Sequence, residues 1–191
     1  IFAWCKRRMD PMFAELPGFI GRPAAVLDIG CGYGVTIAWL RAMDPKLRIQ
    51  AADPAFERVR IAGRLAGPNG LVKQGGSPDL PNFAEPADLV LMLDMAHYLS
   101  DDQLGETLIR LQKMMRPNAR LILRTTVPSA AAPPVYRRVE TFKLRIAGRP
   151  AYYRSVAQMK ELLTRGGFAV AQAQASGQGR EEYWFIGAPG Q

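Results

Sequence analysis

Short apolar runs alternate with stretches of helical spacing along most of the chain. Ala25–Ile29 is apolar on both sides, broken only by Asp28, and is followed by Val35, Ile37, Ala38, Leu40 and Met43 at helix-like intervals. Leu47–Ala52 leads into Asp53-Pro54, and a helix is expected near Ala55–Leu65, stopping at the turn cluster Gly67-Pro68-Asn69-Gly70. Leu71–Gln74 reads as a short strand. Ala87–Leu93 is an apolar run broken only by Asp88 and closed by Asp94, the pattern of a strand buried on both faces. Ser100 and Gln103 form a capping box, and Leu104, Leu108, Leu111 and Met115 carry that helix toward Arg116-Pro117. Ala119–Thr126 follows as a strand, Val127–Pro134 as a loop and Val135–Ala147 as a helix. Ser155 and Gln158 then cap a helix ending at Gly166-Gly167, and Phe168–Ala175 with Tyr183–Ile186 form a terminal hairpin. Near the start, Asp10-Pro11 opens a short helix to Leu16. Strand–helix alternation of this kind predicts an α/β fold with a parallel sheet and crossover helices.

The chemistry concentrates where the first apolar run ends. Asp28-Ile29-Gly30-Cys31-Gly32-Tyr33-Gly34 places three glycines at alternate positions before a helix. Such a turn can take φ > 0 and leaves no Cβ between backbone and ligand. The helix behind it offers free N–H groups and its positive dipole end. A dinucleotide fingerprint would read G-x-G-x-x-G. Here the spacing is G-x-G-x-G, and the Asp28 carboxylate would repel a pyrophosphate at short range. A zwitterionic amino-acid group suits the turn better, which disfavours a nicotinamide-dependent oxidoreductase.

This D-x-G-x-G-x-G pattern resembles motif I of the class I S-adenosylmethionine (SAM)-dependent methyltransferases, and the resemblance extends from about Ala24 to Ala188. It implies a three-layer αβα sandwich with a Rossmann-like, mostly parallel seven-stranded sheet in the order 3-2-1-4-5-7-6, strand 7 antiparallel. It also implies a single domain over 1–191, with residues 1–23 as an N-terminal lid and 127–165 as a variable segment covering the substrate. Asp28, Gly30, Cys31, Gly32 and Gly34 would hold the methionine part of SAM. Asp53, beside Pro54, would be the ribose-binding acid; on residues alone it also reads as the cap of a helix starting at Pro54, and both roles can coexist. Gly76 stands where the family often has an aspartate against the adenine, leaving Ser77 or a backbone carbonyl to substitute. Asp94 and Met95 would line the cofactor's edge, and Arg7 or Arg8 could pair with its carboxylate.

Methyl transfer asks for alignment in a dry pocket more than for acid–base help. If the acceptor must lose a proton, His97, the only histidine, is the candidate base, and Tyr98 a wall of the acceptor pocket. No G-x-S-x-G elbow and no second histidine exist, which argues against a hydrolase triad. The two cysteines, Cys5 and Cys31, lack metal-site spacing and fit a reducing, cytoplasmic setting.

Charge changes the picture last. Of the net +8, residues 137–165 contribute most, with eight cations against Glu140 and Glu161. Tyr136, Phe142, Tyr152 and Tyr153 lie among them. This mixture suits a small, anionic or acyl and lipid-like acceptor methylated at O, N or C. The alternatives are an RNA or protein methyltransferase, or a non-catalytic SAM-binding domain of a larger protein. Nucleic acid is disfavoured because no N-P-P-Y-type tetrapeptide follows the fourth strand. The apolar start followed by Lys6-Arg7-Arg8 would also suit a membrane tether or fusion partner ahead of Ile1.

Overall fold

A seven-stranded sheet organises the molecule. The computed structural model describes residues 10–129, 150–177 and 181–190. Its elements are α1 (Met12–Glu15), α2 (Pro17–Ile20), β1 (Ala25–Ile29), α3 (Val35–Met43), β2 (Arg48–Asp53), α4 (Phe56–Ala66) and β3 (Gly70–Gln74). They continue with β4 (Ala87–Leu93), a 3₁₀ turn (Ala96–Tyr98), α5 (Asp101–Lys113), β5 (Met115–Thr126), α6 (Val156–Arg165), β6 (Phe168–Ala175) and β7 (Glu182–Pro189). The sheet order is β3-β2-β1-β4-β5-β7-β6, with β7 antiparallel to both of its neighbours. This is the order the resemblance implied.

The strand period of two sorts side chains onto two faces. Leu27, Ile29, Val90, Met92, Leu121, Leu123 and Phe185 pack against Leu104, Leu108 and Leu111 of α5 and Met159, Leu162 and Leu163 of α6. Val26, Ile49, Leu89, Leu91, Ile122 and Trp184 face the other way, onto α1–α4 through Met12, Leu16, Ile20, Ile37, Leu40, Ala62 and Ala66. Helices thus cover both faces, giving three layers. β1 is buried at every position and β4 at five of seven, which is why neither alternates in sequence.

Two boundaries depart from the sequence reading. β5 begins at Met115 rather than Ala119, because Met115 pairs with Ala87 before a register shift brings Arg120 opposite Leu89. Pro117, which cannot donate to a ladder, falls within that irregular stretch. The opening helix is two short helices, α1 and α2, joined at Leu16. Asp10 does take the Met12 N–H at 3.0 Å. The helix expected over 135–147 lies outside the described residues. Both capping boxes form, at Ser100/Gln103 and Ser155/Gln158.

Candidate functional site

The carboxyl ends of β1, β2 and β4 open into one cleft of about 860 Å³, within the range of small-molecule sites. Its floor is the glycine turn. Gly30, Gly32 and Gly34 all have positive φ, at 75°, 56° and 76°. The turn is pinned to the neighbouring strand, since Gly30 N–H and Cys31 N–H both donate to Ala52 O, at 2.8 and 3.1 Å. The three glycines serve different ends. A Cβ on Gly32 would meet nothing within 4 Å and would project into open space, while one on Gly30 would lie 3.1 Å from Met95 Cγ. A Cβ on Gly34 would come within 2.9 Å of Ala62 Cα. Gly34 therefore sets the approach of α3 to α4 and is not among the cleft-lining residues.

Among the described residues, every other one expected at the cofactor lines this cleft: Asp28, Gly30, Cys31, Gly32, Asp53, Pro54, Gly76, Ser77, Asp94 and Met95. Asp53 is buried and does two backbone jobs. Its Oδ1 accepts from Ala55 N–H at 2.9 Å and its Oδ2 from Gly32 N–H at 3.0 Å. A carboxylate has lone pairs for further donors after these two. Arg58 lies 3.7 Å from Asp53 and 5.7 Å from the Tyr33 ring centroid, and both Arg58 and Tyr33 line the cleft. The Cys31 thiol is pushed up from its ordinary value by burial, then by the Asp28 and Asp53 charges, so it stays neutral. Gly76 sits against Pro54, where a Cβ would approach the proline Cβ to 3.2 Å. A side chain at 76 would therefore require Pro54 to give by a few tenths of an ångström.

Asp94, just past β4, is the one described non-glycine residue with positive φ, at 56°, a conformation costing about 1 kcal/mol or more. Arg124 holds it in two ways. Its N–H donates to Arg124 O at 2.9 Å, and its carboxylate takes Arg124 Nη1 at 2.8 and 3.1 Å. Arg124 also reaches Asp10 and Ser176. Nothing in the sequence pattern singled Arg124 out, because its partners lie 30 to 114 positions away.

The far wall is formed by Tyr98, Leu99, Gln103, Pro150 and Tyr152. Tyr152 N–H donates to His97 O at 2.7 Å. Arg154, also unforeseen, donates to the carbonyls of Ala96 and Leu99 at 3.1 and 2.6 Å and pairs with Asp101 at 2.7 Å. These bonds fasten the 150–154 stretch to the 3₁₀ turn and set Tyr152 beside Tyr98. His97 itself is 4% exposed and does not line the cleft. Its ring packs between Tyr98 and Tyr153, with Nδ1 3.5 Å from Thr125 Oγ1. The sequence brings Tyr98, not His97, to the cleft. Arg7, Arg8, Cys5, Tyr136, Phe142 and the cations of 137–149 lie outside the described residues. Among those described, no group of side chains could hold a metal ion, and no helix is long and apolar enough to cross a membrane.

The cleft suits a cationic amino-acid nucleoside. Among the described residues, three carboxylates (Asp28, Asp53 and Asp94) and one cation, Arg58, border it, and Gly32 leaves backbone exposed to the ligand space. The sequence pattern of a family described as a methyltransferase domain matches residues 2–173. No curated protein sequence matches the chain. Among solved structures, the fold is similar to a chain from a Haloferax volcanii complex between a methyltransferase activator and a methyltransferase. The TM-score is 0.77 at 15% identity, covering 99% of this chain and 95% of that one. It is also similar to human N-acetylserotonin methyltransferase in complex with SAM, at TM-score 0.72 and 17% identity, covering 97% and 52%. The calicheamicin-biosynthesis methyltransferase CalO1, in its SAH-bound form, aligns at TM-score 0.69 and 20% identity, covering 93% and 54%. The chain thus spans about half the length of the last two.

Proposed function

Because the chain belongs to the methyltransferase domain family, whose cofactor is SAM, we propose that this cleft is its SAM site and that it methylates a small or lipid-like acceptor. One observation carries the reading: a single cleft joins the open backbone at Gly32, the Asp53 carboxylate and a wall of Tyr98 and Tyr152. Bound SAM supplies a methyl group on a sulfonium that leaves as a neutral thioether. The rest falls to the chain's own side chains. The N–H groups of Gly30, Cys31 and Gly32 are committed to Ala52 and Asp53, so the amino end of α3 would receive the amino-acid carboxylate. Asp28 would face the ammonium. Asp53 would accept from ribose hydroxyls while keeping Gly32 and Ala55 in place, and Gly76 with Ser77 would border the adenine. Tyr98, Gln103 and Tyr152 would hold the acceptor in line and exclude water.

On this reading the chain is one domain, with residues near Met12 closing over the cofactor and the stretch beginning at Pro150 covering the acceptor. The acceptor is small, with an anionic or acyl character that the cations of 137–165 attract.

Titration calorimetry with SAM, S-adenosylhomocysteine and NAD tests the cofactor site. S-adenosylhomocysteine should bind, and Asp53→Ala should weaken it by roughly 1.5–3 kcal/mol, the worth of hydrogen bonds to a charged group. Binding of NAD without S-adenosylhomocysteine would overturn the reading. Methyl transfer is then followed by mass spectrometry against anionic small molecules, acyl conjugates and RNA. A steep salt dependence with RNA would move the acceptor to nucleic acid.

A further inference from the structure

We propose that Arg124 is a positioning residue that makes the docking of residues 10–20 and the shape of the cofactor cleft one cooperative unit; the link to ligand rests on the cleft being the SAM site. Arg124 is 1% exposed. A cation so buried is held only by partners on every side. Nη1 donates to both Asp94 oxygens at 2.8 and 3.1 Å and to Asp10 Oδ2 at 3.2 Å. Nη2 donates to Asp10 Oδ1 at 2.8 Å, Nε to Ser176 Oγ at 3.2 Å, and the guanidinium carbon lies 5.5 Å from the Trp184 ring centroid.

The two carboxylates belong to different parts of the molecule. Asp94 lines the cleft. Asp10 does not, but it takes the N–H of Met12, which does. A second tie runs parallel to the first. Ser176 Oγ, besides accepting from Arg124, donates to Glu15 at 2.7 Å, and Glu15 also accepts from Gly177 N–H at 2.8 Å and Trp184 Nε1 at 2.6 Å. The N-terminal helices are thus bolted to the sheet through the same guanidinium that holds Asp94 in its left-handed backbone. One fork serves two anions, so loosening either changes how the other is held. Ligand in the cleft and docking of residues 10–20 must then favour each other by the same factor.

Hydrogen exchange, read by mass spectrometry on the full chain, tests the unit without ligand. Asp94→Asn should speed exchange in residues 12–20, to which Asp94 is joined through Arg124. Calorimetry with S-adenosylhomocysteine tests the ligand side. Asp10→Asn, a change outside the cleft lining, should weaken binding about fivefold or more. The Asp10→Asn/Asp94→Asn pair should weaken it by far less than the product of the single effects. Arg124→Lys, which keeps the charge but not the fork, should fall between wild type and the double variant. Circular dichroism and a thermal melt report whether each variant is folded. Unchanged exchange in folded Asp94→Asn, or binding by Asp10→Asn equal to wild type, would overturn the proposal. Failure of the wild type to bind S-adenosylhomocysteine would sink the cofactor assignment instead, and the exchange result would still decide the role of Arg124.

Discussion

Two glycines two positions apart show how single residues divide the work of the turn. Gly32→Ala adds a methyl group that the protein itself can accommodate but that occupies the ligand's space. It should cost about 1 kcal/mol in stability from its positive φ, and weaken S-adenosylhomocysteine far more than it lowers the melting temperature. Gly34→Ala meets Ala62 at 2.9 Å, so it should do the reverse, lowering the melt with less loss of ligand per degree. Differential scanning fluorimetry beside calorimetry separates them. Glu15 carries a pH dependence. Burial raises its carboxyl, but hydrogen bonds from Trp184, Ser176 and Gly177, with the Arg124 charge, outweigh that and hold it below its ordinary 4.5. A carboxyl so held stabilises the fold above about pH 4.5, and the contribution is lost as pH falls through its lowered folded value. Urea denaturation from pH 7 downward should therefore show the wild type losing stability in acid more steeply than Glu15→Gln.

At the level of elements, what could be read ahead was whatever is local. The glycine turn, both capping boxes and the carboxylates after β1, β2 and β4 stand within a few residues of the strands they terminate, so pattern and spacing exposed them. Asp53 illustrates the limit: it read as the cap of a helix starting at Pro54, whereas the helix starts at Phe56 with Ala55 as its N-cap and Asp53 makes an Asx bond ahead of it; its bond to Gly32 was not visible, because that needs β2 beside β1. Asp10 read as a helix cap; it takes the Met12 N–H from one residue ahead of the N-cap, Pro11, and it also pairs with Arg124. Arg154 read as one cation in a basic stretch, whereas it is buried on the carbonyls of the 3₁₀ turn. His97 looked like a residue at a cleft mouth, but the 3₁₀ turn swings it inward and presents Tyr98. Side chains whose partners lie on distant strands leave no trace in periodicity. The capping boxes give a direct check. Ser100→Ala and Ser155→Ala should each cost about 1 kcal/mol, measured by chemical denaturation, with ligand affinity nearly unchanged for Ser155→Ala, since α6 lies away from the cleft lining.

Across the whole molecule, the sheet supplies rigidity and its carboxyl edge supplies chemistry, the usual division in open α/β sheets. Ligand binding there should be felt globally. At a concentration about a hundredfold above Kd, S-adenosylhomocysteine adds roughly 2.7 kcal/mol, equivalent to a rise of about 5–10 °C in melting temperature for a domain of this size. A thermal shift series against ligand concentration checks this. The strand order has one more outcome, which concerns how the protein is made. β7, which follows β6 in the chain, inserts between β5 and β6 and delivers Trp184 and Phe185, which are completely buried, to opposite faces of the sheet. A nascent chain halted before residue 182 has β6 without a partner and β5 with a bare margin, both ready to pair with a stranger. The sheet cannot close without residues 182–189, so deleting that strand should yield aggregates instead of a slightly shortened domain.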